Sequence, residues 1–332
     1  MKHFISALIV LIFLSYKLTA QDVHFSEFYN APLQLNPSYT GFFNGDYRLT
    51  AIYRNQWSSI TVPYTTIEGS VDFRILEGVG DKNILGLGLE AFSDKAGDSQ
   101  FSTNTVALSS AYSLAIGDNK KNYVSGGISA EFGDASIDYS NLVFDEQWFH
   151  PNLPTTENVS LNSYSYVDVS GGISWHYIPN KLTNFNIGFA AFHLNQPIVS
   201  FLGENSMVLY RKYIIDASSQ LSLNEKLDLY PKAMLDFQGP YTELDAGGLI
   251  RCDISSGYKR NYGIYFGLFY RKGDAIIITS RVDVNELSFA LSYDITTSAL
   301  YHDSRAQGGP ELSIIYVAKF MHSKHTVYCP RF

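Results

Sequence analysis

His193 and His176 are the residues that most invite a chemical reading. His193 follows an alternating run in "FNIGFAAFHLNQPIVSF" (185–201), where Phe185, Ile187 and Phe189 are interleaved with Asn186, Gly188 and Ala190, and it opens the polar turn His193-Leu194-Asn195-Gln196-Pro197. A histidine base needs a nucleophile and an orienting acid within reach. The chain contains neither G-x-S-x-G nor H-E-x-x-H. His176 shares the polar face of its segment with Asp168 and Ser174, where a satisfied hydrogen bond is the expected role. Glu68, Asp72, Arg74, Glu90 and Glu131 fall on the same kind of face as Asp168 and His176. These seven read as the lining of a solvated lumen with salt bridges, with a selectivity lining as the sharper alternative. Cys252 and Cys329 lack ligand-like spacing, and two free thiols are the expectation for them. The chain therefore reads as a non-enzyme without metal or cofactor; a hydrolase acting on lipid or peptide is the weakest competing reading.

The elements that carry these residues share one pattern. "IEGSVDFR" (67–74), "NILGLGLEA" (83–91), "YVDVSGGISWHY" (166–177) and "ELSFALSYDI" (286–295) alternate apolar with small or polar residues. Period two over such lengths means half-buried strands. Fourteen segments qualify, near 45–56, 64–75, 83–93, 101–116, 122–134, 164–178, 184–194, 207–221, 227–238, 241–252, 261–270, 275–283, 286–297 and 310–320. Charged residues are 17% of the chain, against about 25% in typical soluble domains. The shortage calls for a large surface that does not face water. The net charge of −8 excludes nucleic acid as a partner.

The fold expected is all-β: a transmembrane antiparallel outer-membrane barrel of about fourteen strands, with longer extracellular loops and short periplasmic turns. Residues 1–20, with Lys2 and the apolar run "FISALIVLIFL" (4–14), read as a signal peptide cleaved after Ala20. Residues 21–44 read as a periplasmic or lumen-plugging segment, 45–320 as the barrel and 321–332 as a tail. The glycines of "SGG" at 125–127 and 170–172 sit inside strands, where glycine marks close approach, so a lumen plug is expected to contact them.

A family resemblance rests on an ordered set of segments. "HFSEFYNAPLQLNPSYTG" (24–41), "YRNQW" (53–57), "FDEQW" (144–148), "HLNQP" (193–197), "YRKGDA" (270–275), "LSYDITTSAL" (291–300), "GGPELSIIY" (308–316) and "CPRF" (329–332) resemble the PorP/SprF proteins of type IX secretion in Bacteroidetes. Ser38-Tyr39 departs from the Asn-Pro-Ala more usual there. The resemblance implies an integral outer-membrane protein that acts in export or cell-surface anchoring of cargo bearing a C-terminal sorting domain, such as large adhesins or gliding-motility proteins. Its partners would be that cargo, other secretion components and outer-membrane lipid. The competing class is a diffusion channel for small solutes. By the expected topology, Asn55, Gln56, Trp57, Asp145, Gln147, Trp148, His193, Asn195, Gln196, Pro197, Arg271 and Asp274 all lie at outward strand ends or loops and are the candidate cargo contacts.

Overall fold

The computed structural model describes residues 22–59, 62–77, 83–117, 121–150, 161–203, 205, 207–255, 262–299 and 301–320. The expected signal peptide, the tail 321–332 and Cys329 lie outside them. In chain order the first seven strands are β1 (Tyr47–Gln56), β2 (Tyr64–Glu77), β3 (Ile84–Ala96), β4 (Phe101–Ile116), β5 (Asn122–Ser136), β6 (Ser163–Asn180) and β7 (Thr183–Phe192). The second seven are β8 (Lys212–Ser222), β9 (Leu227–Gln238), β10 (Tyr241–Asp253), β11 (Tyr262–Arg271), β12 (Ala275–Val284), β13 (Leu287–Thr296) and β14 (Gln307–Ala318). Each pairs antiparallel with the next, and β1 pairs with β14 from Tyr47↔Ala318 to Arg54↔Glu311, which closes the barrel.

Alternation decides which side chains face out. On β1, Leu49 and Tyr53 are exposed while Arg48, Thr50, Ile52 and Arg54 are buried. The same parity exposes Leu108 and Tyr112 on β4, Ile128 and Phe132 on β5, and Phe266, Leu268 and Tyr270 on β11. This apolar outer surface suits hydrocarbon, and a closed sheet leaves no backbone unpaired there. The connections sort by length: 137–162, 193–211 and 297–306 are at one end, while the turns 181–182, 223–226 and 285–286 are at the other. The first is the outer end by the rule for such barrels.

All fourteen expected strands are present, and β4 and β9 have the expected limits. The largest difference is at β8, expected from 207 and found from Lys212. Residues 197–209 instead fold onto themselves: Ile198 bridges Val208, and Leu209 donates its amide to the Pro197 carbonyl at 2.9 Å.

Residues 22–46 occupy the barrel interior. This segment has no strand period; it makes a 3-10 turn (Phe28–Asn30), a helical turn (Pro32–Leu35) and a second 3-10 turn (Pro37–Tyr39). Phe28, Tyr29, Leu35 and Tyr39 form one apolar cluster with Tyr230, Met234, Tyr265, Phe269 and Ile277 of the wall. Asp22 lies at the outer end beside Gln238, and Asp46 at the other end, where it accepts the Phe320 amide at 2.7 Å. The segment thus runs the length of the lumen before β1 begins.

Candidate functional site

The interior is polar because the wall must hold a chain with few hydrogen bonds of its own. Backbone groups removed from water need partners, and the inward side chains supply them. At the outer half, Glu311 of β14 accepts the amides of Ser26 and Glu27, both at 2.8 Å. The Glu27 carboxylate is ringed by donors: Asn30 at 3.0 Å, Ser313 at 2.8 Å and Thr279. Arg54 donates to the His24 carbonyl and pairs with Asp294 at 3.0 Å. Arg271 reaches Asp294 at 3.1 Å, Asp245 at 3.3 Å and the Ser26 hydroxyl at 3.3 Å.

Midway down, packing replaces charge. The Asn36 side chain accepts the Ser38 amide at 2.9 Å, capping the second 3-10 turn, and donates to the Ile173 carbonyl at 3.2 Å. Tyr39 donates its hydroxyl to Asp216. A Cβ on Gly127 would overlap the Pro37 carbonyl, one on Gly172 would overlap the Asn36 side chain, and one on Gly86 would overlap Thr40. The expected contact between a plug and the "SGG" glycines is therefore found at Gly127 and Gly172, while Gly126 and Gly171 do not meet the segment. Nearer the short turns, Asp72 accepts the Gly41 amide at 2.8 Å and holds Arg48 through two bonds at 2.9 and 2.8 Å.

His193 closes the outer end. It adopts a left-handed backbone (φ 56°) just after β7, which turns its ring inward. The ring bridges Asp168 at 2.9 Å and Asp22 at 2.8 Å, and Gln238 accepts the Asp22 amide at 2.8 Å. Burial alone would lower its pKa, but the two carboxylates outweigh that and raise it to about 10. A raised pKa adds stability that is complete below the unfolded value near 6.5 and is lost as pH climbs toward 10. His193→Ala should accordingly cost about 2 kcal/mol at pH 6, with the difference from wild type closing by about pH 10. The unfolding midpoint in lipid vesicles measured across that range checks both the size and the sign.

The interior positions of Glu68, Asp72, Arg74, Glu90, Glu131, Asp168 and His176 are as expected, but their surroundings are not. A water-filled lining is corrected here: all but Glu131 are buried, because the chain's own segment fills the space they face. Arg74 donates to the Phe43 carbonyl. His176 stacks on Phe42 with ring centres 3.8 Å apart and bonds Ser174 and Asn186 at 2.9 and 2.8 Å, the satisfied role expected of it.

Three of the expected surface contacts, His193, Pro197 and Arg271, are buried and are also corrected. His193 and Arg271 lie at outer strand ends, yet they are 7% and 2% exposed and point into the lumen. The rest stay near the outer end without converging. Trp57 packs edge-on against Tyr64, Trp148 is 75% exposed, and Gln147 accepts the Phe144 amide. Asn55 and Gln56 end β1, and Asp145 begins a short helix, Asp145–Phe149. The Asp274 carbonyl accepts the amides of Thr297 and Ser298, tying two outer loops together. Asn195 completes the edge of β6, accepting the Val169 amide at 3.1 Å and donating to the Val167 carbonyl at 2.7 Å. Gln196 bonds back to His193 within the turn, and Pro197 is buried beneath the folded loop.

Residues not foreseen from the sequence are Asp22, Ser26, Glu27, Arg54, Asp294 and Glu311. The segments of the family resemblance supply nearly all of this network: Ser26 and Glu27, Arg54, His193, Arg271, Asp294 and Glu311 come from six of them. Their shared task is to hold the plug.

Comparison with known proteins agrees with this architecture. The toluene transporter TbuX of Ralstonia pickettii superposes with a TM-score of 0.51 at 11% identity, covering 86% of this chain and 92% of that one, a likeness of fold alone. The toluene transporter TodX of P. putida gives 0.49 at 12% identity, covering 89% and 95%. No curated protein matches the chain. The family described as "Type IX secretion system membrane protein PorP/SprF" matches residues 18–316, nearly all of the lumen segment and wall, and the chain belongs to that family of outer-membrane proteins.

Proposed function

We propose that this barrel acts as a closed acceptor at the cell surface, retaining exported cargo with a C-terminal sorting domain rather than conducting it. One observation carries the reading: residues 22–46 obstruct the lumen and contact the wall from the outer end to the short-turn end, where a cavity of about 420 Å³ remains beside Phe43 and Arg48. A filled barrel of fourteen strands leaves no route for a protein, so its work falls to its surfaces. The same filling speaks against the diffusion channel, the competing reading. Among the described residues of the outer surface, Trp148 is the side chain best suited to anchor a partner, because tryptophan is enriched among the residues that carry interface energies.

Affinity purification of the full-length protein from its native membrane tests this. The expected result is co-purification of an exported surface protein with a type IX C-terminal domain, retained about tenfold less by Trp148→Ala. Recovery without any exported protein would remove the acceptor reading.

A further inference from the structure

Among the described residues, the outer end of β6 carries an open sheet edge. β5 holds β6 along its whole upper length, with pairing unbroken to Ser136↔Ser163. On the other side β7 stops early, and its ladder with β6 begins only at Gly171↔Ala191. Leu194 and the Asn195 amide extend the pairing to Val169 and to the Val167 carbonyl. In an antiparallel ladder both backbone groups of alternate residues point to the same side. The Val167 N–H and the N–H and C=O groups of Ser165 and Ser163 therefore face away from β5. Among the described residues none of these groups has a partner on that side.

Natural proteins protect such edges with Lys, Pro, bulges or a covering segment. "SYSYVDV" (163–169) contains neither Lys nor Pro, and its pairing with β5 has no bulge. Ser163 and Ser165 are exposed on the outer face, where the Ser165 hydroxyl donates to Asp134 at 3.1 Å. The inner face carries Tyr164 and Tyr166, and Phe201 packs edge-on against Tyr164 at 4.7 Å. A strand laid along this edge would thus meet the Ser163 and Ser165 hydroxyls on one face and Tyr164 on the other, whereas Asp134 and the Tyr166 ring, which covers Gly133, lie over β5.

We propose that the Ser163–Val167 edge is a β-augmentation site. Its occupant is an extended segment of an exported surface protein, with hydroxylated residues toward Ser163 and Ser165 and alternate apolar residues toward Tyr164. Main-chain bonds give such complexes their affinity and the alternating side chains give specificity. The proposal rests on the acceptor reading above, since the occupant is the retained protein.

Ser165→Pro tests it in the full-length protein purified from its native membrane. Proline removes the outward N–H of residue 165 and leaves the ladder to β5 intact, because proline is tolerated at sheet edges. Heat-modifiable migration should remain that of an assembled barrel, while retention of the exported protein falls about tenfold. An assembled variant that retains it at the wild-type level overturns the edge proposal and leaves the acceptor reading standing. A wild-type preparation that brings down no exported protein overturns both. Amide exchange keeps the question decidable if the proline variant does not assemble. The amides of Ser163, Ser165 and Val167 should exchange rapidly in the isolated wild-type barrel and about tenfold more slowly in the co-purified complex. Protection already present in the isolated barrel would show that its own chain covers the edge, and the proposal would fall.

Discussion

Deleting residues 22–40 should turn a silent barrel into a conducting one. In planar bilayers the wild-type protein is expected to stay near the baseline, because the lumen is packed from Asp22 to Asp46. Without the segment, the inward faces of β2, β3, β5 and β6 would border water, and Glu68, Asp72, Glu90 and Asp168 would become a charged lining. Steady conductance at least about tenfold above the wild-type leak is the expected reading for a cleared lumen of this strand number. Gly172→Val reaches the same end with the segment in place. Its side chain would overlap Asn36, which holds the second 3-10 turn and the Ile173 carbonyl, so the plug must shift. A deletion variant that assembles and stays silent would assign closure to the outer loops instead.

The second large effect is expected at Arg271. Its guanidinium is 2% exposed and lies among Asp245, Asp294 and Glu243 at 3.3, 3.1 and 3.7 Å. Arg271→Ala would leave Asp245 and Glu243 without their guanidinium and Asp294 with Arg54 alone, a change of the kind that costs about 3–5 kcal/mol. Arg271→Lys should recover only part of this, since an ammonium cannot present the same planar fork. Arg271→Ala combined with Asp245→Asn should cost less than the sum of the two single changes, because the pair is in contact. Denaturant unfolding in lipid vesicles measures all four variants against the wild type. A loss below about 1 kcal/mol for Arg271→Ala would mean that water reaches the cluster.

Arg271 also shows what the sequence made legible and where the reading stopped. Phe266, Leu268 and Tyr270 alternate on the lipid face, so parity places Arg271 inside; the same rule applied to Leu49, Ala51 and Tyr53 places Arg54 inside. Arg271 falls among the outward contacts because it sits at a strand end, where wall and loop look alike, while Arg54, one residue before the outward Asn55, is given no role by the sequence. His193 was harder to foresee. It follows the last residue of β7, and only a left-handed backbone turns it inward, a conformation that a non-glycine residue does not announce. The mid-strand residues Glu68, Asp72 and His176 could be placed, since alternation there has neighbours on both sides. The path of residues 22–46 could not be traced. That segment has no period of its own, and Glu27 reaches its partners Thr279 and Ser313 across almost the whole chain. The glycines were the one local sign of it, because a strand gives up side chains where another backbone must pass.

The grip of Glu311 on Ser26 and Glu27 bears on how the molecule is assembled. Glu311 belongs to the strand that seals the wall, and it pairs there with Arg54, which holds the His24 carbonyl. An empty cylinder, once sealed, would have to admit a chain with three helical turns through an opening lined by buried acids. Sealing around a segment already in place avoids that threading, and the seam gains its polar partners at the moment it zips. In the finished barrel the earliest residues of the plug and the last strand of the wall thus share one polar network, so that each steadies the other without either being the sole condition for the seam.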